Sequence, residues 1–142
     1  DLNNKKILVT GAAGFIGSYL VKEILETVSP VTVIGIDNMN DYYDVSIKEY
    51  RLNEIEKQAV EHPESSWIFI KADISDKSVI DVLFQIYKPE IVVNLAAQAG
   101  VRYFGSLPPF LRWRSKGSGT SGVRFLFVCL WRQYQGSICY RG

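Results

Sequence analysis

Three glycines, Gly11, Gly14 and Gly17, stand at three-residue intervals in the stretch Val9-Thr10-Gly11-Ala12-Ala13-Gly14-Phe15-Ile16-Gly17-Ser18-Tyr19-Leu20. That spacing suits the binding of a diphosphate. The first glycine can take a tight turn. The second has no Cβ, so an anion can approach bare backbone. The third lets a following helix pack close to a strand. The helix N-terminus would then offer unpaired N–H groups to the phosphates. Glycines alone are weak evidence, and the flanks supply the rest. Lys5-Lys6-Ile7-Leu8-Val9-Thr10 reads as a buried strand, and Phe15, Ile16, Leu20, Ile24 and Leu25 recur at helical spacing. Asp37 lies twenty positions past Gly17 and closes the apolar run Val31–Ile36. A carboxylate there accepts hydrogen bonds from an adenosine ribose and repels a 2′-phosphate, which predicts NAD rather than NADP. The competing explanation is a structural glycine turn with a surface aspartate. It does not account for strand, turn, helix and acid in that order.

Four strands and three helices must position these groups. The expected order is a strand at 5–10, a helix at about 15–27, a strand at 31–36 and a helix at about 46–61. A strand at 67–71, a helix capped by Asp76 and a strand at 91–95 follow. Ser29-Pro30, His62-Pro63 and Lys88-Pro89 close the three helices, since proline cannot continue the hydrogen-bond ladder. In the second helix Ile47, Tyr50, Leu52, Ile55 and Val60 are the apolar members. Lys48, Glu49, Arg51, Glu54, Glu56 and Lys57 read as a solvated face. Strands alternating with helices imply right-handed crossovers and a parallel sheet. The fold class is therefore α/β, the first half of a doubly wound Rossmann-type sheet in the order 3-2-1-4. Ligands on such sheets bind at the carboxyl ends of the strands. The candidates are the glycine turn, Asp37-Asn38, Asp73-Ile74 and the segment Leu95-Ala96-Ala97-Gln98-Ala99-Gly100. Asp73 is read as an adenine contact, with a helix-entry turn residue as the alternative. Arg102 is an anion clamp or a plain surface charge. His62, the one histidine, reads as a solvated helix end, and Tyr42 and Tyr43 as packing residues.

The 142 residues have room for one ordinary domain, and an apolar fraction of 47% excludes global disorder. A net charge of +1 gives no reason to expect a nucleic-acid partner. No run is long and apolar enough for a membrane span. Asp1-Leu2-Asn3-Asn4 has no signal-peptide pattern, and Cys129 and Cys139 lack a metal-ligand context. A reduced, cytoplasmic setting is the expectation. Nothing in the pattern sets an oligomeric state. The average charge hides a break, however. All 15 acidic residues lie between Asp1 and Tyr103. Beyond them Arg112, Arg114, Lys116, Arg124, Arg132 and Arg141 are uncompensated. The chain divides accordingly into residues 1–103, a nucleotide-binding half-domain, and residues 104–142, a basic tail.

Residues Lys5 to Tyr103 resemble the extended short-chain dehydrogenase/reductase superfamily. Within it they are most similar to the NAD-dependent nucleotide-sugar epimerases and dehydratases, and VTGAAGFIGS, DNMNDYYD and LAAQAGVRY are nearest to UDP-glucuronate 4-epimerases. The first motif is shared across the superfamily, whereas the other two together are much narrower. The resemblance implies NAD held by Gly11, Gly14, Phe15, Ile16, Gly17, Asp37, Asn38, Asp73, Ile74 and the turn Leu95, Ala96, Ala97. It implies a nucleotide-sugar substrate and hydride transfer at C4 of the sugar. That chemistry uses a Ser/Thr and a Tyr-x-x-x-Lys pair, the phenol acting as general base.

The resemblance stops at Phe104. The Ser-rich strand is missing and Tyr-x-x-x-Lys occurs nowhere; four residues after Tyr134 stands Ile138. No catalytic residue is therefore assigned. The tail has a specific explanation. Allowed codons for Trp131-Arg132-Gln133-Tyr134-Gln135-Gly136-Ser137-Ile138-Cys139-Tyr140-Arg141, read one nucleotide later, can give GGNTKVPYAT, a typical continuation of the family. Extended back to Phe104, the same shift can encode the missing Ser-rich strand. A deletion after Tyr103 with a change of reading frame accounts for both, and residues 104–142 are then not selected to fold. The rivals are a non-catalytic nucleotide-binding module and an NAD sensor with a basic interaction tail.

Overall fold

The computed structural model describes residues 2–41 and 44–95, together with the backbone of 124–127. The elements run β1 (Lys6–Thr10), α1 (Phe15–Thr27), β2 (Thr32–Asp37), α2 (Val45–Glu61), β3 (Ser66–Lys71), α3 (Lys77–Tyr87), β4 (Ile91–Asn94) and β5 (Arg124–Phe127). Every strand pairing is parallel and the sheet order is β3-β2-β1-β4-β5. The expected order 3-2-1-4 is thus present. Thr10 registers with Ile36 on one side and Asn94 on the other, so the carboxyl ends of β1, β2 and β4 finish level. β5 adds a fifth strand on the outer side of β4, Ile91 opposite Arg124. It is the described part of the tail.

The central strands are apolar throughout because both faces are covered. Ile7, Val9 and Val33 face Val21, Ile24 and Leu25 of α1 and Ile55 of α2. Leu8, Ile34, Ile36 and Val92 face Ile80, Leu83 and Phe84 of α3. The period-2 alternation of the strands sorts these residues into two cores. Gly35 sits where a Cβ would meet the Trp67 ring at 2.3 Å and the Ala12 Cβ at 2.8 Å.

Two expectations about helix faces need correction. In α2, Ile47, Tyr50 and Val60 are exposed, and the buried residues are Ile55 and Lys48, with Leu52 and Ala59 packed beside them. The inward stripe is therefore Lys48, Leu52, Ile55 and Ala59, at helical spacing but headed by a cation. In α1, Phe15 and Ile16 are exposed rather than part of the buried stripe. Helix ends follow their chemistry. Asp44 and Asp76 cap α2 and α3, and Lys88 ends α3 in the left-handed conformation, φ 48°. His62 is the C-cap of α2, its Nδ1 3.6 Å from Glu64 Oε1. Tyr42 and Tyr43 lie outside the described residues.

Candidate dinucleotide-binding site

β1 delivers the chain into a turn that only glycine fits at two points. Gly11 adopts φ 70°, the left-handed region. Its N–H donates to Ile36 O at 2.8 Å, which pins the turn to the end of β2. A Cβ on Gly17 would stand 2.0 Å from Gly11 O and 2.8 Å from Gly11 C. The first turn of α1 therefore rests directly on the turn, as the spacing predicts. Gly14 is the N-cap of α1, with no side-chain cap and no acidic residue in the first turn. Helix N–H groups there lack a protein carboxylate or hydroxyl and are suited to an anionic ligand. Phe15 and Ile16 stand exposed at this mouth.

Asp37 ends β2 against the same turn. Its carboxylate is buried, with the side chain 7% exposed. One oxygen, Oδ2, accepts the Ala13 N–H at 3.2 Å. The other accepts the Met39 N–H at 2.8 Å and lies 3.6 Å from Lys48 Nζ. Lys48 Nζ also donates to Asn40 Oδ1 at 3.0 Å. Arg51, one turn further along α2, donates to Ala13 O at 3.3 Å, and its guanidinium lies 5.7 Å from the Phe15 ring centroid. Lys48 and Arg51 were expected on a solvated face. The structure instead turns Lys48 toward Asp37 and Asn40 and Arg51 toward the glycine turn. The sequence signal is the position of Lys48 on the stripe of Leu52, Ile55 and Ala59.

A second line of contacts joins β2 to the loop after β3. Asn38 Oδ1 accepts the Asn40 N–H at 3.1 Å, and Asn38 Nδ2 approaches Asp73 Oδ2 at 3.5 Å. Asp73 Oδ1 accepts the Ser75 hydroxyl at 2.7 Å and the Ser75 N–H at 2.8 Å. The Ser75 hydroxyl, then its N–H, then the Asn38 amide hold the Asp73 carboxyl below its ordinary value of 3.8, and slight burial opposes them. Asp73 thus forms the helix-entry turn, while its second oxygen faces the Asn38 amide. Ile74 packs against the α3-side core. On the other flank Thr10 Oγ1 donates to Asn94 Oδ1 and accepts the Leu95 N–H. That pair steers the chain where it leaves β4 at Leu95. Ala96, Ala97 and Arg102 lie outside the described residues. Among the described residues no cluster of His, Cys, Asp and Glu could hold a metal ion, and no helix is long and apolar enough to cross a membrane.

The family model described as GDP-mannose 4,6 dehydratase matches residues 8–121. Protein CapI of Staphylococcus aureus is 47% identical over 98 residues, which make up 69% of this chain and 27% of that protein. UDP-glucuronate 4-epimerase 2 of Arabidopsis thaliana is 40% identical over 101 residues, 71% of this chain and 21% of that enzyme. Two solved structures share the fold. dTDP-glucose 4,6-dehydratase from Bacillus anthracis, in complex with NAD, has a TM-score of 0.53 at 26% identity, covering 67% of this chain and 27% of its own. UDP-glucose-4-epimerase from Stenotrophomonas maltophila, with bound NAD and formylated UDP-arabinopyranose, has a TM-score of 0.52 at 26% identity, covering 69% and 26%. The chain spans about a quarter of the length of the curated relatives it matches.

Proposed function

The chain belongs to the family described as GDP-mannose 4,6 dehydratase, and on that premise we propose that it is the NAD-binding N-terminal part of a nucleotide-sugar 4-epimerase of the UDP-glucuronate type. The observation that carries the reading is the meeting of the glycine turn and Asp37 at Ala13, 3.2 Å from N–H to carboxylate. The site fits the dinucleotide. Gly14 leaves the start of α1 uncapped for a diphosphate, and Gly11 and Gly17 hold that helix against the sheet. Asp37 stands where an adenosine ribose would lie. Asn38 and Asp73 would border the adenine, and Leu95 with Ala96 and Ala97 would follow the cofactor past β4. NAD, when bound, supplies a hydride acceptor. The chain's own part is to bind and orient it and to disfavour a 2′-phosphate.

The other half of the chemistry is missing from the sequence. No Tyr-x-x-x-Lys is present to supply a base, so on this reading the chain does not turn over sugar by itself. The frame change after Tyr103 explains why, and makes residues 104–142 an accident of translation rather than a domain. The same absence favours one other reading, a non-catalytic NAD-binding module. Nucleotide sequence through the Tyr103 codon separates the two: an uninterrupted frame that aligns with no epimerase in any register would favour the module. Calorimetry tests the shared core of both readings. The chain should bind NAD, weakly, and NADP more weakly still; equal affinities would remove the role given to Asp37.

A further inference from the structure

The N–H groups of residues 11–14 are all engaged inside the protein. Those of Gly11 and Ala12 donate to Ile36 O at 2.8 and 3.3 Å, that of Ala13 to Asp37 Oδ2 at 3.2 Å, and that of Gly14 to Gly11 O at 3.0 Å. The donors left for a diphosphate are therefore the first ones of α1, beginning at Phe15. Their aim depends on the peptide joining Ala13 to Gly14, where the turn enters the helix. A side chain from outside the β1–α1–β2 unit grips that peptide. Arg51 of α2 donates to Ala13 O at 3.3 Å, so the peptide is held at both ends. The same guanidinium lies 5.7 Å from the ring centroid of Phe15, an otherwise exposed residue. Among the described residues no carboxylate pairs with Arg51. A cation near a helix N-terminus is unfavourable by itself. Neither an ion pair nor helix stability therefore accounts for its place.

We propose that Arg51 is a positioning residue for the diphosphate: by holding the Ala13 carbonyl and the Phe15 ring, it fixes the turn before the anion arrives. The inference rests on the reading of this turn as the diphosphate site. It goes further by placing part of the affinity in α2, which does not itself meet the ligand. A turn bounded by glycines has freedom that binding must remove. A latch from a packed helix removes it beforehand, and affinity rises accordingly. A guanidinium suits both contacts, because its edge donates to a carbonyl while its planar face attracts a ring. A lysine would supply the donor without the planar face. Two consequences separate a latch from a direct phosphate contact. Loss of Arg51 should loosen the turn in the ligand-free chain. Loss of the Phe15 ring should act in the same direction although every charge is kept.

Hydrogen exchange of the full chain, read by mass spectrometry without ligand, tests the latch directly. Arg51→Met keeps the aliphatic stem and removes the donor and the charge. It should speed exchange several-fold in peptides covering residues 11–18 and leave those of α3 unchanged. Phe15→Leu alters an exposed ring and should do the same to a smaller degree; it decides the matter where Arg51→Met does not fold. ADP and adenosine, titrated by calorimetry, are the binding probes. Arg51→Met should weaken ADP about fivefold and leave adenosine nearly unchanged. Arg51→Lys should recover part of that loss, since a donor for Ala13 O returns. Native exchange in both variants overturns the latch and leaves the diphosphate reading intact. Weaker ADP binding with native exchange overturns it too, because Arg51 would then meet the phosphates itself. Equal weakening of ADP and adenosine overturns it as the mark of a general loss of structure. A native chain that binds neither ADP nor NAD overturns the diphosphate reading and the proposal with it.

Discussion

Asp37 shows how much one residue can carry in this fold. Its position was legible, because the interval from Gly17 and the end of an apolar strand both point to it. Its surroundings were not. A lysine eleven residues further on, within a charged helix, reads as solvent-facing until the helix phase is fixed by Leu52, Ile55 and Ala59. Burial of that lysine is affordable because the Asp37 carboxylate and the Asn40 amide meet it. Asp37→Ala should therefore act in two ways. It removes the charge that repels a 2′-phosphate and narrows the gap between NAD and NADP in calorimetry. It also strands Lys48, so the midpoint of denaturant unfolding should fall. Gly17 gives a sharper case. With Gly11 O 2.0 Å from the place of its Cβ, no rotamer relieves the clash, and backbone must move. Gly17→Ala should cost about 1–3 kcal/mol in denaturant unfolding, as overpacked sites do, and should weaken NAD binding as the turn opens.

At the scale of elements, chemistry at the helix ends was the most legible part. Asp76 and the proline after Lys88 mark α3, and the structure places the cap at Asp76, with Oδ1 accepting the Ser78 and Val79 N–H groups at 3.0 and 3.3 Å. Asp76→Ala should destabilise the fold by about 1 kcal/mol, measured by urea unfolding. The inward face of α2 was the least legible, because its apolar residues outnumber the places available on one stripe. Ile47, Tyr50 and Val60 are left outside. The loop between β3 and α3 carries a pH dependence with a definite sign. The Asp73 carboxyl is held below its ordinary value of 3.8 first by the Ser75 hydroxyl, then by the Ser75 N–H. A depressed carboxyl stabilises the folded state above that ordinary value, and the benefit disappears as pH falls through the depressed value. Ser75→Ala should return the Asp73 titration, followed by NMR of the carboxyl carbon, toward 3.8. The acid-unfolding midpoint should move to higher pH.

For the whole molecule, order and direction of the first four strands were legible because alternating helices leave a parallel sheet little freedom. The region after Tyr103 was legible in a different sense, as a break in charge and motif rather than as structure. In the sheet, the outer side of β4 pairs with Arg124–Phe127. These residues belong to Val123–Leu130, VRFLFVCL, which is apolar at nearly every position and carries no acidic residue. Such a sequence sets strand register poorly, because a slip of one residue exchanges one apolar face for another. It also puts an apolar strand at the edge of the sheet formed by the described residues, where further chains can add. On the reading proposed here, the other frame places the Ser-rich strand with the missing catalytic groups in this neighbourhood. Two properties should therefore fail together and be restored together. The purified 142-residue chain should show no conversion of UDP-glucuronate to UDP-galacturonate above a Gly14→Val control, and should form aggregates seen by light scattering. A gene with the deleted segment and reading frame restored should give a soluble protein with turnover. Activity in the unrepaired chain would require a general base that is not Tyr-x-x-x-Lys. Solubility gained without activity would mean that the frame explains the edge strand and not the chemistry.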